Sequence, residues 1–191
     1  MATSILSGRD RVCKNSQGGI QNLWLFPYVK YNRSQIITNG NVLTNFPTTT
    51  IYRFNVNSNP TPTSTQAENA GGKYYDMAIS LDFIGSNDSE NLQKLLKKDY
   101  RLIFQDRNGL FRIFGLYTGL ICESLTFNTG SAKTELNGFN LSFNGQEEKG
   151  SFFINDLENA GFFDADFDYR ITEAGEFRIL ENNEFRIINN G

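Results

Sequence analysis

Apolar residues recur along this chain with a period of two for most of its length. In KYYDMAISLDFIG, Tyr75, Met77, Ile79, Leu81 and Phe83 alternate with Tyr74, Asp76, Ala78, Ser80 and Asp82, the pattern of a strand with one buried and one wet face. TIYRFNV (50–56) sets Tyr52, Phe54 and Val56 against Ile51, Arg53 and Asn55 in the same way. IQNLWLFPYV and SQIIT are denser apolar runs separated by turn-prone Asn and Gly. YRLIFQDRNGLFRIFGLYTG predicts a hairpin about Asp106-Arg107-Asn108-Gly109, because Asn-Gly accepts the positive φ of a tight turn. LICESLTFNTG, AKTELNGFNLSFNG and SFFI add further strands with turn signals between them. One segment breaks the rhythm. In NDSENLQKLLKKD, Asn87 and Glu90 resemble a capping box, Leu92, Leu95 and Leu96 share a helical stripe, and Lys94, Lys97 and Lys98 complement the helix dipole. The pattern predicts an all-β fold with one short helix at about 88–98, arranged as an antiparallel sandwich or barrel.

Stretches without periodicity divide the chain. Residues 1–19 read as a polar N-terminal arm, and residues 20–155 as the β-sandwich core. Within that core, NSNPTPTSTQAENAGG (57–72) has two prolines and no apolar pattern, which predicts a long loop. Residues 156–168 are turn-rich and acidic, a connector to a C-terminal unit spanning 169–191. That unit repeats aromatic-Arg-Ile three times at a spacing of eight: Tyr169-Arg170-Ile171, Phe177-Arg178-Ile179 and Phe185-Arg186-Ile187. Three-residue loops at Glu173-Ala174-Gly175 and Glu181-Asn182-Asn183 place Gly175 and Asn183 at the left-handed loop position. This register sets Ile171 opposite Phe177 and Ile179 opposite Phe185, giving a three-stranded meander with one apolar face. Such a meander is marginal alone in water, so its apolar face must cover its own domain or another molecule.

Composition narrows the chemistry. The 191 residues are 39% hydrophobic and 20% charged, enough for a core, and the net charge of −3 argues against a surface built to grip nucleic acid. The chain has no histidine, which removes Ser-His-Asp and Cys-His arrangements, His-containing metal sites and the usual general base. Cys13 and Cys122 are too few for a structural zinc site and read as reduced thiols. Asp164, Asp166 and Asp168 begin like a calcium loop but lack its Gly and Glu, since Tyr169 and Gly175 stand there; a solvated acidic edge is the better reading. Glu147 and Glu148 read as surface charge in a turn, and LKKDYR as decoration of the helix terminus. No phosphate-cradling or dinucleotide motif is present. We expect no enzyme, no cofactor and no metal.

QDRNGLFRIFGLYTGL and the block GSAKTELNGFNLSFNGQEEKGSFFI carry a resemblance. With the Gly-x-x-x-Gly-Leu run at Gly115–Leu120, the turn at Gly130-Ser131-Ala132, Leu136-Asn137-Gly138-Phe139 and the Gly-x-Glu turn, the segment from Tyr100 to Asn155 resembles tail-tube-type proteins of tailed bacteriophages, especially phages of Bacteroides-like hosts. The C-terminal repeats are similar to those appended to such phage structural proteins. The resemblance covers about a third of the chain. It implies a two-sheet sandwich with a flanking helix, copies of which close into a ring, hexameric or higher, each lending strands to an inner barrel. It also implies a place in the virion tail, contact with adjacent tail or connector proteins, and passage of genomic DNA without sequence-specific binding. No membrane is expected, because no apolar run approaches the roughly 20 residues needed to span a bilayer. Loop 57–72 is then the candidate for ring stacking. The expected assembly residues are Asn57, Pro60, Pro62, Gln66 and Asn69 there, and Tyr169, Phe177, Ile179, Phe185 and Ile187 in the meander. Two rivals stay open: a carbohydrate- or surface-binding β-sandwich with an aromatic platform, and a carboxylate-only hydrolase, which needs an acidic pair about 5–9 Å apart.

Overall fold

Two neighbouring strands that are apolar on both faces organise the molecule. They are β1 (Ile20–Pro27) and β7 (Asp99–Asp106), paired antiparallel from Ile20 opposite Asp106 to Pro27 opposite Tyr100. Leu23, Leu25, Tyr100, Leu102 and Phe104 enter one hydrophobic cluster, while Trp24, Phe26 and Ile103 enter a second. Alternate residues of the same strands thus feed two cores, which is why LWLF and RLIF read as near-continuous apolar runs. The computed structural model describes residues 18–54, 60–69, 71–84, 89–129 and 137–165, and the backbone of 169–171 and 177–179.

From this pair the sheet branches. On the outer edge of β1 lies β4 (Thr49–Phe54), and beyond it β12 (Phe162–Asp164), which runs parallel to β4. The other edge of β7 is shared. Its residues Leu102–Gln105 pair with β8 (Phe111–Phe114), whereas Asp99 and Tyr100 pair with β9 (Leu120–Asn128). From β8 one arm continues through β11 (Phe152–Ile154) to β3 (Val42–Asn45), a parallel neighbour, and β2 (Ile37–Asn39). From β9 the other arm continues through β10 (Gly138–Glu147) and β6 (Gly72–Ile84) to β5 (Thr63–Asn69). The first arm closes over the second cluster with Leu43, Ile113, Phe152 and Ile154; the second closes over the first with Met77, Ile79, Leu81, Leu141 and Phe143. The all-β expectation holds, with one curled sheet that branches and is mixed. Its parallel pairs, β3 with β11 and β4 with β12, join strands far apart in sequence, which local periodicity does not encode.

Local expectations fare unevenly. The hairpin about Asp106–Gly109 forms: Gly109 has φ +82°, and the Asp106 carboxylate accepts from the amides of Asn108 at 2.8 Å and Leu110 at 2.9 Å. The helix α1 spans Ser89–Leu95, with Leu92 buried and Leu95 and Leu96 packed on the first cluster; Asn87 lies outside the described residues. Residues 57–72 are not a long loop. β5 occupies 63–69 and pairs with β6 along its whole length, from Thr63 opposite Ala78 to Asn69 opposite Gly72. Its sequence, TSTQAEN, has no apolar face because neither side is deeply covered. Nor is 156–168 simply a connector, because β12 is an integral strand of the large sheet. Beyond it, β13 (Tyr169–Ile171) and β14 (Phe177–Ile179) form a separate two-stranded antiparallel ladder with Ile171 opposite Phe177, the register the repeats predict. The third repeat and the arm to residue 17 lie outside the described residues.

Candidate functional site

The four strands β5, β6, β10 and β9 form a regular antiparallel sheet whose two faces differ sharply. Pairing fixes the phase: Asp82 stands opposite Asn140 and Thr126 is next across, Ser80 opposite Ser142 and Ser124, and Asp76 opposite Gln146 and Thr65. The intervening residues, among them Met77, Ile79, Leu81, Leu141 and Phe143, are buried in the first cluster. One face is thus core. Among the described residues the other is bare, each of its side chains partly or fully exposed. It is mostly polar, with Tyr74, Ala67 and Ala78 among its residues and Ile121 and Ile84 as large apolar exceptions toward its ends.

This bare face carries Asp76, Asp82 and Glu123 and no lysine or arginine. Glu123 joins it because β9 bulges between Cys122 and Ser124. The amide side chains are turned onto the carboxylates. Asn140 Nδ2 donates to Asp82 Oδ1 at 2.6 Å and Ser80 Oγ at 2.7 Å, Gln146 Nε2 donates to Asp76 Oδ1 at 2.9 Å, and Asn144 Nδ2 donates to Glu123. The amides of Asn140, Asn144 and Gln146 are therefore engaged within the sheet, and the charge this face presents is negative.

A buried polar centre sets where this sheet leaves β7. Arg101, on β7, is 1% exposed. Its Nε donates to the Leu116 carbonyl at 3.0 Å and its Nη2 to the Val29 carbonyl at 2.9 Å, with the guanidinium 4.3 Å from the Tyr28 ring centre and 5.2 Å from that of Phe46. Burial pulls its pKa below the ordinary value, opposed by Tyr28, Tyr31 and Glu147. Glu147, the last residue of β10, is 2% exposed and its Oε1 accepts from the amides of Tyr117 and Thr118, both at 2.9 Å. Burial raises its pKa, against the lowering effect of those amides. Tyr28 Oη donates to the Tyr117 carbonyl at 2.6 Å. The loop Gly115–Gly119, where β8 ends and β9 begins, is thus gripped from three sides. Gly115 and Gly119 turn it with φ +72° and +80°, and a Cβ on Gly119 would lie 3.0 Å from the Tyr28 ring.

Both charges correct the sequence reading. Glu147 is not surface charge; it falls on the core face because it continues the alternation Phe139, Leu141, Phe143, Gly145. Arg101 does not decorate the helix end but lies on the face of β7 opposite Tyr100 and Leu102. Asp164 is not a solvated edge either: it is 6% exposed and its Oδ2 accepts the Trp24 indole N–H at 2.6 Å. Asp166 and Asp168 lie outside the described residues. Among the described residues no cluster of three potential metal ligands occurs, and no helix is long and apolar enough to cross a membrane.

Of the expected assembly residues, Gln66 and Asn69 lie exposed on β5, the end strand of the sheet with the bare face. Pro60 is buried and Pro62 partly so; with Ile20, Phe104, Asp106 and Arg112 they line a groove of about 380 Å³. Tyr169, Phe177 and Ile179 belong to the separate β13–β14 ladder, and Asn57, Phe185 and Ile187 lie outside the described residues. The groove's polar groups serve local structure: Asp106 holds its own turn, and Arg112 bonds Ser151 and stacks 4.1 Å from the Phe153 ring. No protein-family model, curated protein or solved structure matches the chain.

Proposed function

We propose that this chain is a non-enzymatic structural virion protein that self-assembles into rings, forming part of a bacteriophage tail tube or head-to-tail conduit for DNA. The observation that carries the reading is the bare acidic face of β5, β6, β10 and β9. A sheet that is hydrophobic on one side, uncovered on the other and free at its ends suits the lining of a passage. If each copy contributes four strands, a six-membered ring pools about 24. At ~4.8 Å per strand and a tilt of ~40°, the backbone circle is roughly 150 Å round and about 50 Å across, ample for a nucleic-acid duplex. Asp76, Asp82 and Glu123, repeated around that circle, repel phosphates, and the engaged amides offer them few donors. DNA then slides without being held.

Adjacent tail or connector proteins are the partners this role requires, with the virion tail as its location. The test is direct. The purified protein, concentrated and examined by light scattering and negative-stain microscopy, should form rings with a central bore. A stable monomer at millimolar concentration, or rings whose bore is strongly basic, would overturn the reading.

A further inference from the structure

We infer that neighbouring copies join by antiparallel pairing of β5 in one subunit with the distal half of β9, Glu123–Asn128, in the next. The inference rests on the reading of the chain as a ring subunit and names the surface by which the ring closes. Among the described residues, β5 pairs only with β6, and β9 beyond Cys122 pairs only with β10. A seven-residue edge without proline and with a single charge, Glu68, is the kind of strand that proteins otherwise blunt or cover. Direction also fits. The four strands alternate, so β5 of one copy runs opposite to β9 of an identically oriented neighbour. The contact joins two different edges of the same chain, and such head-to-tail contacts propagate until a ring closes.

Phase and charge narrow the register. The polar face must continue across the junction, which puts Thr65 and Ala67 of one copy on the same side as Ser124 and Thr126 of the other. Overlap is greatest with Thr65 opposite Thr126. Ser64 then covers Phe127, which is 47% exposed in the single subunit. Glu68, on the core side of β5, arrives one step past Ser124, where the free edge of β9 ends. There the end of α1 meets β9: the Lys97 amide donates to the Cys122 carbonyl at 2.9 Å and the Cys122 amide to the Lys98 carbonyl at 3.1 Å. The exposed Lys97 and Lys98 thus stand where Glu68 lands. Glu123 is turned to the opposite face, toward Asn144.

The test is cross-linking in a Cys13→Ser background, where the remaining Cys122 is buried. Thr65→Cys combined with Thr126→Cys, oxidised after assembly, should give a ladder of covalent oligomers ending at the ring size, because a disulfide requires Cα atoms within about 7 Å. Either single variant should stay monomeric, because a head-to-tail contact never brings two copies of one position together. Glu68→Lys should weaken assembly about tenfold at low salt, and Lys97→Glu with Lys98→Glu should restore it. Rings seen by microscopy without the ladder, or without rescue, overturn this interface and leave the ring itself standing. Absence of rings at any concentration overturns both.

Discussion

Replacing Glu147 tests how the bare sheet is anchored to the core. In Glu147→Ala the amides of Tyr117 and Thr118 lose a carboxylate at 2.9 Å in a place closed to water. A buried donor left without an acceptor costs about 1–3 kcal/mol, so the pair costs ~2–6 kcal/mol. The space vacated by the side chain adds about 1 kcal/mol. Against this stands relief from holding a desolvated carboxylate, which Glu147 discloses through its raised pKa. The balance is a loss of about 3 kcal/mol, or roughly 6–12 °C in Tm for a chain of this size. Glu147→Gln keeps a carbonyl oxygen for both amides and drops the charge, so it should stay within about 1 kcal/mol of wild type at neutral pH.

The two variants also separate by pH. Because the folded-state pKa of Glu147 lies above the ordinary 4.5, the folded chain binds this proton more tightly than the unfolded one. The associated stability is fully present below about pH 4.5 and is lost as pH rises through the folded value. Wild type should therefore gain on Glu147→Gln as the medium is acidified from neutrality. Urea midpoints for the three proteins at about pH 4.5, 6 and 7.5, at submicromolar concentration so that assembly adds no stability by mass action, provide the readout. If Glu147→Ala unfolds within about 0.5 kcal/mol of wild type, the carboxylate does not organise Gly115–Gly119. If the gap to Glu147→Gln is flat with pH, the carboxylate is not desolvated.

Three other outcomes are expected. Gly161→Ala should cost about 3 kcal/mol or more by thermal melting, because Gly161 has φ +100° and an added Cβ would lie 2.3 Å from the Phe46 carbonyl. Cys122, fully buried and with its thiol pushed up to about 11 by desolvation, should resist an aromatic disulfide reagent at mildly alkaline pH until the protein is unfolded in urea; fast native labelling would contradict the packing of β9 against the first cluster. Asp76→Lys with Asp82→Lys should leave assembled rings intact yet make them retain duplex DNA on a low-salt filter assay, with retention lost as salt rises; equal retention by both proteins would refute the repulsive lining.

How legible this structure was in sequence depends on how local each signal is. The alternation in β6 and the Asn-Gly turn after β7 concern neighbours along the chain, and both appear as written. The leucine stripe of α1 does too. What periodicity could not carry was partnership. β5 has no apolar face to announce it, and only its pairing with β6 makes TSTQAEN a strand. Phe162 and Phe163 looked like part of a connector because their partner, β4, lies more than a hundred residues earlier. Arg101 and Glu147 were hidden for a different reason: charge alone suggests solvent, and the partners that hold them, Val29 and the loop Leu116–Thr118, lie far off in sequence, with Arg101 Nη1 and Glu147 Oε2 left unbonded. For Glu147 a clue existed, since it extends the odd-numbered apolar row of β10. Gln66 and Asn69 were singled out as assembly residues of a loop, and they lie instead on a sheet edge.

The same packing explains why one face can be left bare. A sheet in a chain of this size normally needs its single hydrophobic face covered, and here β1 and β7 do the covering for two arms at once, one with each side. The arm through β8 and β11 is consumed in closing its own cluster. The arm through β9, β10, β6 and β5 needs no further cover, because Met77, Ile79, Leu81, Leu141 and Phe143 already reach β1 and β7 from one side. Its other side is under no demand from folding and can hold carboxylates bonded to amides. What fixes that face in space is then not the sheet itself but its root, where Asp99 and Tyr100 pair with β9 and where Glu147 and Arg101 grip the loop between β8 and β9. Loosening the root should therefore disturb assembly more than an equal loss of stability placed in the β2–β3 arm, which has no part in the bare face.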